Sequence, residues 1–117
     1  PLLMDSIAVT DLGSFVLALR GEGAPAPLLL DVREPWEVAH APLVVAGCET
    51  LHIPMNEIPA QASQLNPAQP IVCFCHHGMR SAQVVAFLLR RGHERVYNLA
   101  GGTDAWSVRV DPRVPRY

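Results

Sequence analysis

Long apolar runs, blocks of like charge and an even set of cysteines are all missing from this chain of 117 residues, and each absence removes a class of function. No stretch approaches the ~20 consecutive apolar residues of a membrane-spanning helix, so no membrane partner is expected. The first residues show no charged segment leading into an apolar core and a cleavage site, and the expected location is the cytoplasm. With no basic block and a formal net charge of −2, a nucleic-acid partner is not expected either. Three cysteines, Cys48, Cys73 and Cys75, do not make a disulfide framework; they point to a reducing compartment with at least one functional thiol. No G-x-G-x-x-G follows a strand, which leaves a dinucleotide fold unsupported, and there is no internal repeat or low-complexity segment.

Half of the residues are hydrophobic and 17% are charged, enough for a real core in one domain spanning 1–117. Ser6-Ile-Ala-Val9 leans toward a strand, and Thr10-Asp11 opens a helix with apolar residues at Leu12, Phe15, Val16 and Leu19, ended by Gly21 and Gly23. Leu28 to Val32 is a continuous apolar run of the kind buried on both faces of a parallel sheet. Pro35 then fits the first turn of a short helix through Val38. Residues 41–50 carry no clear pattern. Leu51-His-Ile53 reads as a strand closed by Pro54, with a helical stretch from Asn56 toward Leu65. Ile71–Phe74 is the next strand, and a helix from about Arg80 ends at Arg90-Arg91 with Gly92 as its cap. Val96–Leu99 is a last strand, Gly101-Gly102 a turn of close backbone approach, and 103–106 a short helix. The tail 110–117, with Pro112 and Pro115, reads as extended or loosely attached. Strands alternating with helices predict a three-layer α/β domain with a mainly parallel central sheet. Trp36 and Trp106 are expected to pack against its core.

The stretch Ile71–Ser81 organises the rest. A strand delivers Cys75 into a short loop, Cys75-His76-His77-Gly78-Met79-Arg80, from which a helix departs. Backbone N–H groups of such a loop and the helix N-terminus converge on the sulfur and favour its thiolate. Gly78 suits a loop that needs φ > 0 and an unobstructed N–H. A buried structural cysteine is the competing reading of Cys75. Cys73, inside the strand, belongs to the core, and Cys48 could be a resolving thiol with nothing specific behind it. Cys73, Cys75, His76 and His77 are too closely spaced along one strand end for zinc ligands to converge, and no metal is expected. Arg80 sits where the helix dipole disfavours a cation, so it needs a partner, either a substrate anion or a carboxylate from Asp31, Glu34 or Glu37; the carboxylate is preferred. Arg33 raises the same choice, its plainest reading being a surface ion pair worth at most ~1 kcal/mol.

Three stretches together resemble the rhodanese (sulfurtransferase) homology domain over nearly the whole chain: Asp31-Val-Arg-Glu-Pro-Trp-Glu37, Cys75-His-His-Gly-Met-Arg-Ser81 and Asn98-Leu-Ala-Gly-Gly-Thr-Asp-Ala-Trp106. The chain looks most similar to the single-domain bacterial members. It departs from the pattern in the longer passage between Ala39-His-Ala-Pro42 and Leu51-His-Ile-Pro54. The resemblance implies a catalytic Cys75 that carries a persulfide, with His76, His77, Gly78, Met79, Arg80 and Ser81 as the active-site loop and Asp31 and Arg33 in support. No metal or organic cofactor is implied. The partners would be a sulfur donor such as thiosulfate or a persulfide, and an acceptor such as cyanide, a thiol or a protein thiol; a monomer is expected. Rival readings are a non-catalytic redox or protein-interaction module, and a cysteine phosphatase or arsenate reductase. The latter carry five residues between Cys and Arg, against four here, His76 to Met79. Met79 is an apolar residue near where many thiosulfate-using relatives carry a polar or charged one.

Overall fold

Two four-residue apolar segments, Leu28–Asp31 and Ile71–Phe74, are buried at every position and lie side by side at the centre of the sheet. In the computed structural model, which describes residues 5–117, five parallel strands are ordered β1-β5-β4-β2-β3. They are β1 Ser6–Ala8, β2 Leu28–Asp31, β3 Glu49–His52, β4 Ile71–Phe74 and β5 Val96–Ala100. The first four residues of the expected domain 1–117 lie outside the described residues. The helices are α1 Leu12–Gly21, α2 Pro35–His40, α3 Ile58–Gln61, α4 Met79–Arg90 and α5 Gly102–Arg109. The predicted three-layer α/β architecture with a parallel sheet is what the chain adopts.

Alternation along the strands assigns each side chain to a layer. Leu28, Leu30, Val32, Ile71, Cys73 and Cys75 face Ile58 of α3, Ala62 just after it, and Val84, Val85 and Leu88 of α4. Leu29, Val72, Phe74 and Leu99 face Leu12, Val16 and Trp106 of α1 and α5. Both faces are covered, which is why β2 and β4 read as unbroken apolar runs rather than alternating ones. Because all strands run the same way, Asp31 and Phe74 end side by side at one edge, and Cys75 follows immediately. Ligands of such sheets bind at this edge.

Several boundaries differ from the sequence expectation. A 3-10 turn, Val9–Asp11, precedes α1, and the stretch expected from Asn56 to Leu65 divides into α3 between the 3-10 turns Met55–Glu57 and Ala62–Gln64. The last strand of the illegible passage starts at Glu49 and pairs as an exposed edge with β2. The final helix is longer than predicted, because the 101–102 turn is itself its start and Val110 N–H still reaches Trp106 O at 2.8 Å.

Two corrections concern the tail and a tryptophan. The tail is not loosely attached: Ser107 Oγ donates to Val114 O at 2.6 Å, Val114 is buried against the α1/α5 side, and Tyr117 returns to the strand edge. Trp106 is buried as expected, but Trp36 is 63% exposed, because α2 turns Glu37 inward instead.

Candidate active site

Cys75 sits one residue beyond β4, and the chain reverses over it before α4 begins. Gly78 holds φ +106°, a left-handed conformation open to glycine, and a Cβ there would meet Gly101 N at 3.3 Å. This turn aims the Gly78 N–H at Cys75 Sγ, 3.1 Å away, and the first turn of α4 adds Ser81 N–H at 3.4 Å and Ser81 Oγ at 3.3 Å. Burial pushes the Cys75 thiol up, but the Ser81 hydroxyl and the N–H groups of Ser81, Gly78 and His77 outweigh it, so its pKa is lowered. For Cys73, buried on the same face with no such donors, burial pushes the thiol strongly up. Two cysteines two residues apart are thus pushed in opposite directions, Cys75 toward its thiolate and Cys73 toward its thiol.

The loop carbonyls point the other way, onto the N-terminus of α5. Thr103 N–H donates to Cys75 O at 2.9 Å and Asp104 N–H to His76 O at 3.0 Å. With these carbonyls satisfied outside, the N–H groups are left to line the inside. The approach is so close that a Cβ on Gly102 would lie 2.3 Å from Cys75 O and 2.5 Å from His76 O. The expectation of close backbone approach at Gly101-Gly102 is met at this point. Asn98 on β5 ties the cradle together: its Nδ2 donates to Gly78 O at 3.0 Å, and its Oδ1 accepts from Ser81 Oγ at 2.6 Å.

Both arginines are spent on carboxylates. Arg80 grips Glu37 through Nη1 to Oε1 at 2.6 Å and Nη2 to Oε2 at 2.9 Å. The Arg80 guanidinium, against the smaller opposing effect of burial, lowers the Glu37 carboxyl from 4.5 to about 2. Of the three carboxylates suggested by the sequence, Glu37 is the partner. Arg33 is not a surface residue: it is fully buried, with a two-pronged bond to Asp31 at 2.9 and 2.8 Å and further bonds to Ala41 O at 3.0 Å and Tyr117 Oη at 3.0 Å. A buried guanidinium needs all five donors satisfied, and Asp31, Ala41 O, Tyr117 Oη and, at 3.4 Å, Glu37 O supply that at the strand edge.

Tyr117 Oη in turn donates to Glu37 Oε2 at 2.8 Å, and its ring stacks on His76 with centroids 3.8 Å apart. His76 and His77 rings are also 3.8 Å apart, and Trp36 meets Tyr117 edge-on at 5.8 Å. Burial, with His77 next to it, lowers the His76 pKa. Of the residues picked from the sequence, Cys75, Gly78 and Ser81 meet at the sulfur, with the His77 N–H contributing. Asp31, Arg33 and Arg80 brace the surroundings. Met79 projects from the start of α4, 79% exposed. Asn98 and Tyr117 are the structural participants to which sequence reasoning gave no role, whereas Glu37 and Gly102 stand where it expected a partner of Arg80 and a close backbone approach. Asn98 had a signal, a polar residue within the apolar run of β5; Tyr117 had none.

The set Cys73, Cys75, His76 and His77 does not converge, since Cys73 lies in the core between the strands and α4. Among the described residues, His76, His77 and Asp104 each bring a ligand atom within 4.8 Å of the others. Asp104 already accepts from Arg116 Nε at 2.9 Å, so its charge is neutralised and the cluster offers a cation little. Cys48 packs on the α1/α5 side of the sheet, opposite to Cys75, which removes it as a resolving thiol in this fold.

Comparison with known proteins agrees with this geometry. A sulfurtransferase from Allochromatium vinosum is 34% identical over 85% of this chain and 89% of its own length. A putative sulfur carrier protein from Bacillus subtilis is 34% identical over 71% of this chain, which spans only 43% of that longer protein. A crystal structure of a Staphylococcus saprophyticus protein, 34% identical, superposes with a TM-score of 0.68 over 92% of this chain and 97% of its own. The family model of the rhodanese-like domain matches residues 15–109, and the chain belongs to that family.

Proposed function

We propose that the protein is a sulfurtransferase in which Cys75 carries the sulfur. The observation behind this reading is the Cys75 Sγ cradle: N–H donors from Gly78 and Ser81, the Ser81 Oγ in contact at 3.3 Å, and a lowered thiol pKa despite burial. The thiolate attacks the outer, sulfane sulfur of thiosulfate or a similar donor; the sulfur–sulfur bond of the donor breaks and sulfite or its equivalent leaves with the electron pair. A new Sγ–S bond makes Cys75 a persulfide, whose outer sulfur is taken by cyanide or a thiol in a second displacement that returns the thiolate. The loop residues His76 to Ser81 stabilise each anion in turn through their backbone, with Asp31, Arg33 and Arg80 holding the frame. The 34%-identical relative named as a sulfurtransferase supports the same reaction class. We infer that this domain acts as a monomer in the cytoplasm, where the thiol stays reduced.

A phosphatase would turn its guanidinium toward phosphate, whereas Nη1 and Nη2 of Arg80 both donate to Glu37. The deciding experiment is intact mass spectrometry after incubation with thiosulfate. One added sulfur on Cys75, removed by cyanide and absent from Cys75→Ala, is the expected result; sulfur transfer by Cys75→Ala at the parent rate overturns it.

A further inference from the structure

The rim of the Cys75 loop has a charge balance that bears on which donor it takes. Each cation around it is matched to one anion: Arg33 to Asp31, Arg80 to Glu37 and Arg116 to Asp104. The one negative charge left over, once the thiol ionises, is Cys75 itself. His76, which burial and His77 hold toward its neutral form, adds no dependable positive charge. The N–H donors of Gly78 and Ser81 already point at Sγ. A dianion approaching this sulfur therefore meets like charge with no unpaired cation among these groups to offset it.

Two large apolar side chains stand exposed on the same rim. Met79, next to the Gly78 turn, is 79% exposed, and Trp36 is 63% exposed. Trp36, Tyr117, His76 and His77 form a continuous run of ring contacts that reaches the loop itself. Such a wall offers contact area to an organic group.

We propose that the donor is a sulfane-sulfur compound with an apolar organic body and at most one negative charge, an organic persulfide or thiosulfonate, in preference to the thiosulfate dianion. This rests on the sulfur-transfer reading above and narrows it. With a thiosulfonate, the Cys75 thiolate attacks the terminal sulfur, the S–S bond to the sulfonyl group breaks, and the sulfinate leaves with the electron pair. With an organic persulfide the leaving group is the thiolate. Neither step needs an oxidant or reductant.

Three stable probes separate charge from body: benzenethiosulfonate, methanethiosulfonate and thiosulfate. For each, kcat/KM with cyanide as acceptor is divided by the rate at which a free thiol takes sulfur from the same donor, which removes intrinsic reactivity. The expected order is benzenethiosulfonate, then methanethiosulfonate, then thiosulfate, with about tenfold or more between first and last. The thiosulfate rate should rise about threefold between roughly 0.02 and 0.3 M salt as like-charge repulsion is screened. Met79→Arg, an exposed change, should raise the ratio of thiosulfate to benzenethiosulfonate about tenfold. A thiosulfate rate equal to or above the others after correction, one that falls with salt, or a ratio unmoved by Met79→Arg overturns the donor assignment while leaving sulfur transfer standing. If none of the three donors places sulfur on Cys75, the sulfur-transfer reading itself fails.

Discussion

The ring of Tyr117 lies flat on that of His76, 3.8 Å between centroids and 8° between planes, so the far end of the described chain rests on the residue next to Cys75. The same phenol accepts from Arg33 at 3.0 Å and donates to Glu37 at 2.8 Å. Tyr117→Phe keeps the stack and loses both bonds, which should cost about 1–2 kcal/mol and lower Tm by about 3–8 °C. Tyr117→Ala, losing the stack as well, should fall further in the same thermal melt. A melt indistinguishable from the parent for both would mean that the tail does not brace the loop.

Glu37 links stability to pH. Its carboxyl lies at about 2 in the fold against 4.5 as reference. A depressed folded-state pKa stabilises above the unfolded value and loses that contribution as pH falls through the folded one. The ion pair should therefore be at full strength above about pH 5 and lost progressively toward pH 2. Glu37 is buried but Arg80 is 32% exposed, so solvent screening holds the contribution to at most about 3 kcal/mol. Glu37→Gln should be less stable than the parent in urea at pH 7, with the gap closing toward pH 2. A gap constant over that range would contradict the pairing.

Ser81→Ala removes the hydroxyl 3.3 Å from Cys75 Sγ. The Cys75 pKa should rise, moving the pH profile of its alkylation by iodoacetamide to higher pH. Single-turnover sulfur loading at pH 7 should drop about tenfold or more, the range for a hydrogen bond to a charged group. Asn98→Ala, which releases Gly78 O from its tie to β5, should loosen the loop and slow loading as well, and circular dichroism will separate this from unfolding.

Gly102→Ala would drive a Cβ to 2.3 Å from the Cys75 carbonyl at a backbone φ of +59°. Since the obstruction is backbone, relief requires moving the loop or α5. The expected cost is about 3 kcal/mol or more in chemical denaturation, with loss of sulfur loading in whatever protein still folds. Gly13→Ala, with open space around its Cβ position, is the control and should be within about 1 kcal/mol of the parent.

The sheet and the thiol loop were legible for the same reason. β2 and β4 are contiguous apolar runs, and residues 71–81 are contiguous too, so strand, turn and helix start are written in neighbouring positions. The β3 strand was only partly visible, because Glu49 and Thr50 lie on an exposed edge where no apolar pattern is required. Trp36 was misread because an aromatic on a short helix is assumed to pack inward, whereas the inward place on α2 belongs to the acidic Glu37. Arg33 was misread as a surface ion pair because nothing local shows that Ala41 O and a distant phenol complete its shell.

By itself the sequence determined the individual strands and helices, the strand that ends at Cys75 and the turn over it, because each depends on interactions within a few residues, and their alternation implied the layered parallel sheet. Tertiary structure alone decided how the cradle is held: Arg80 meets Glu37 across 43 positions, Asn98 reaches Gly78 across 20, and Tyr117 closes on Glu37 across 80. No spacing along the chain encodes such pairs. They exist because parallel strands bring their carboxyl ends to one edge, where groups left unsatisfied by their own segments must find partners in others.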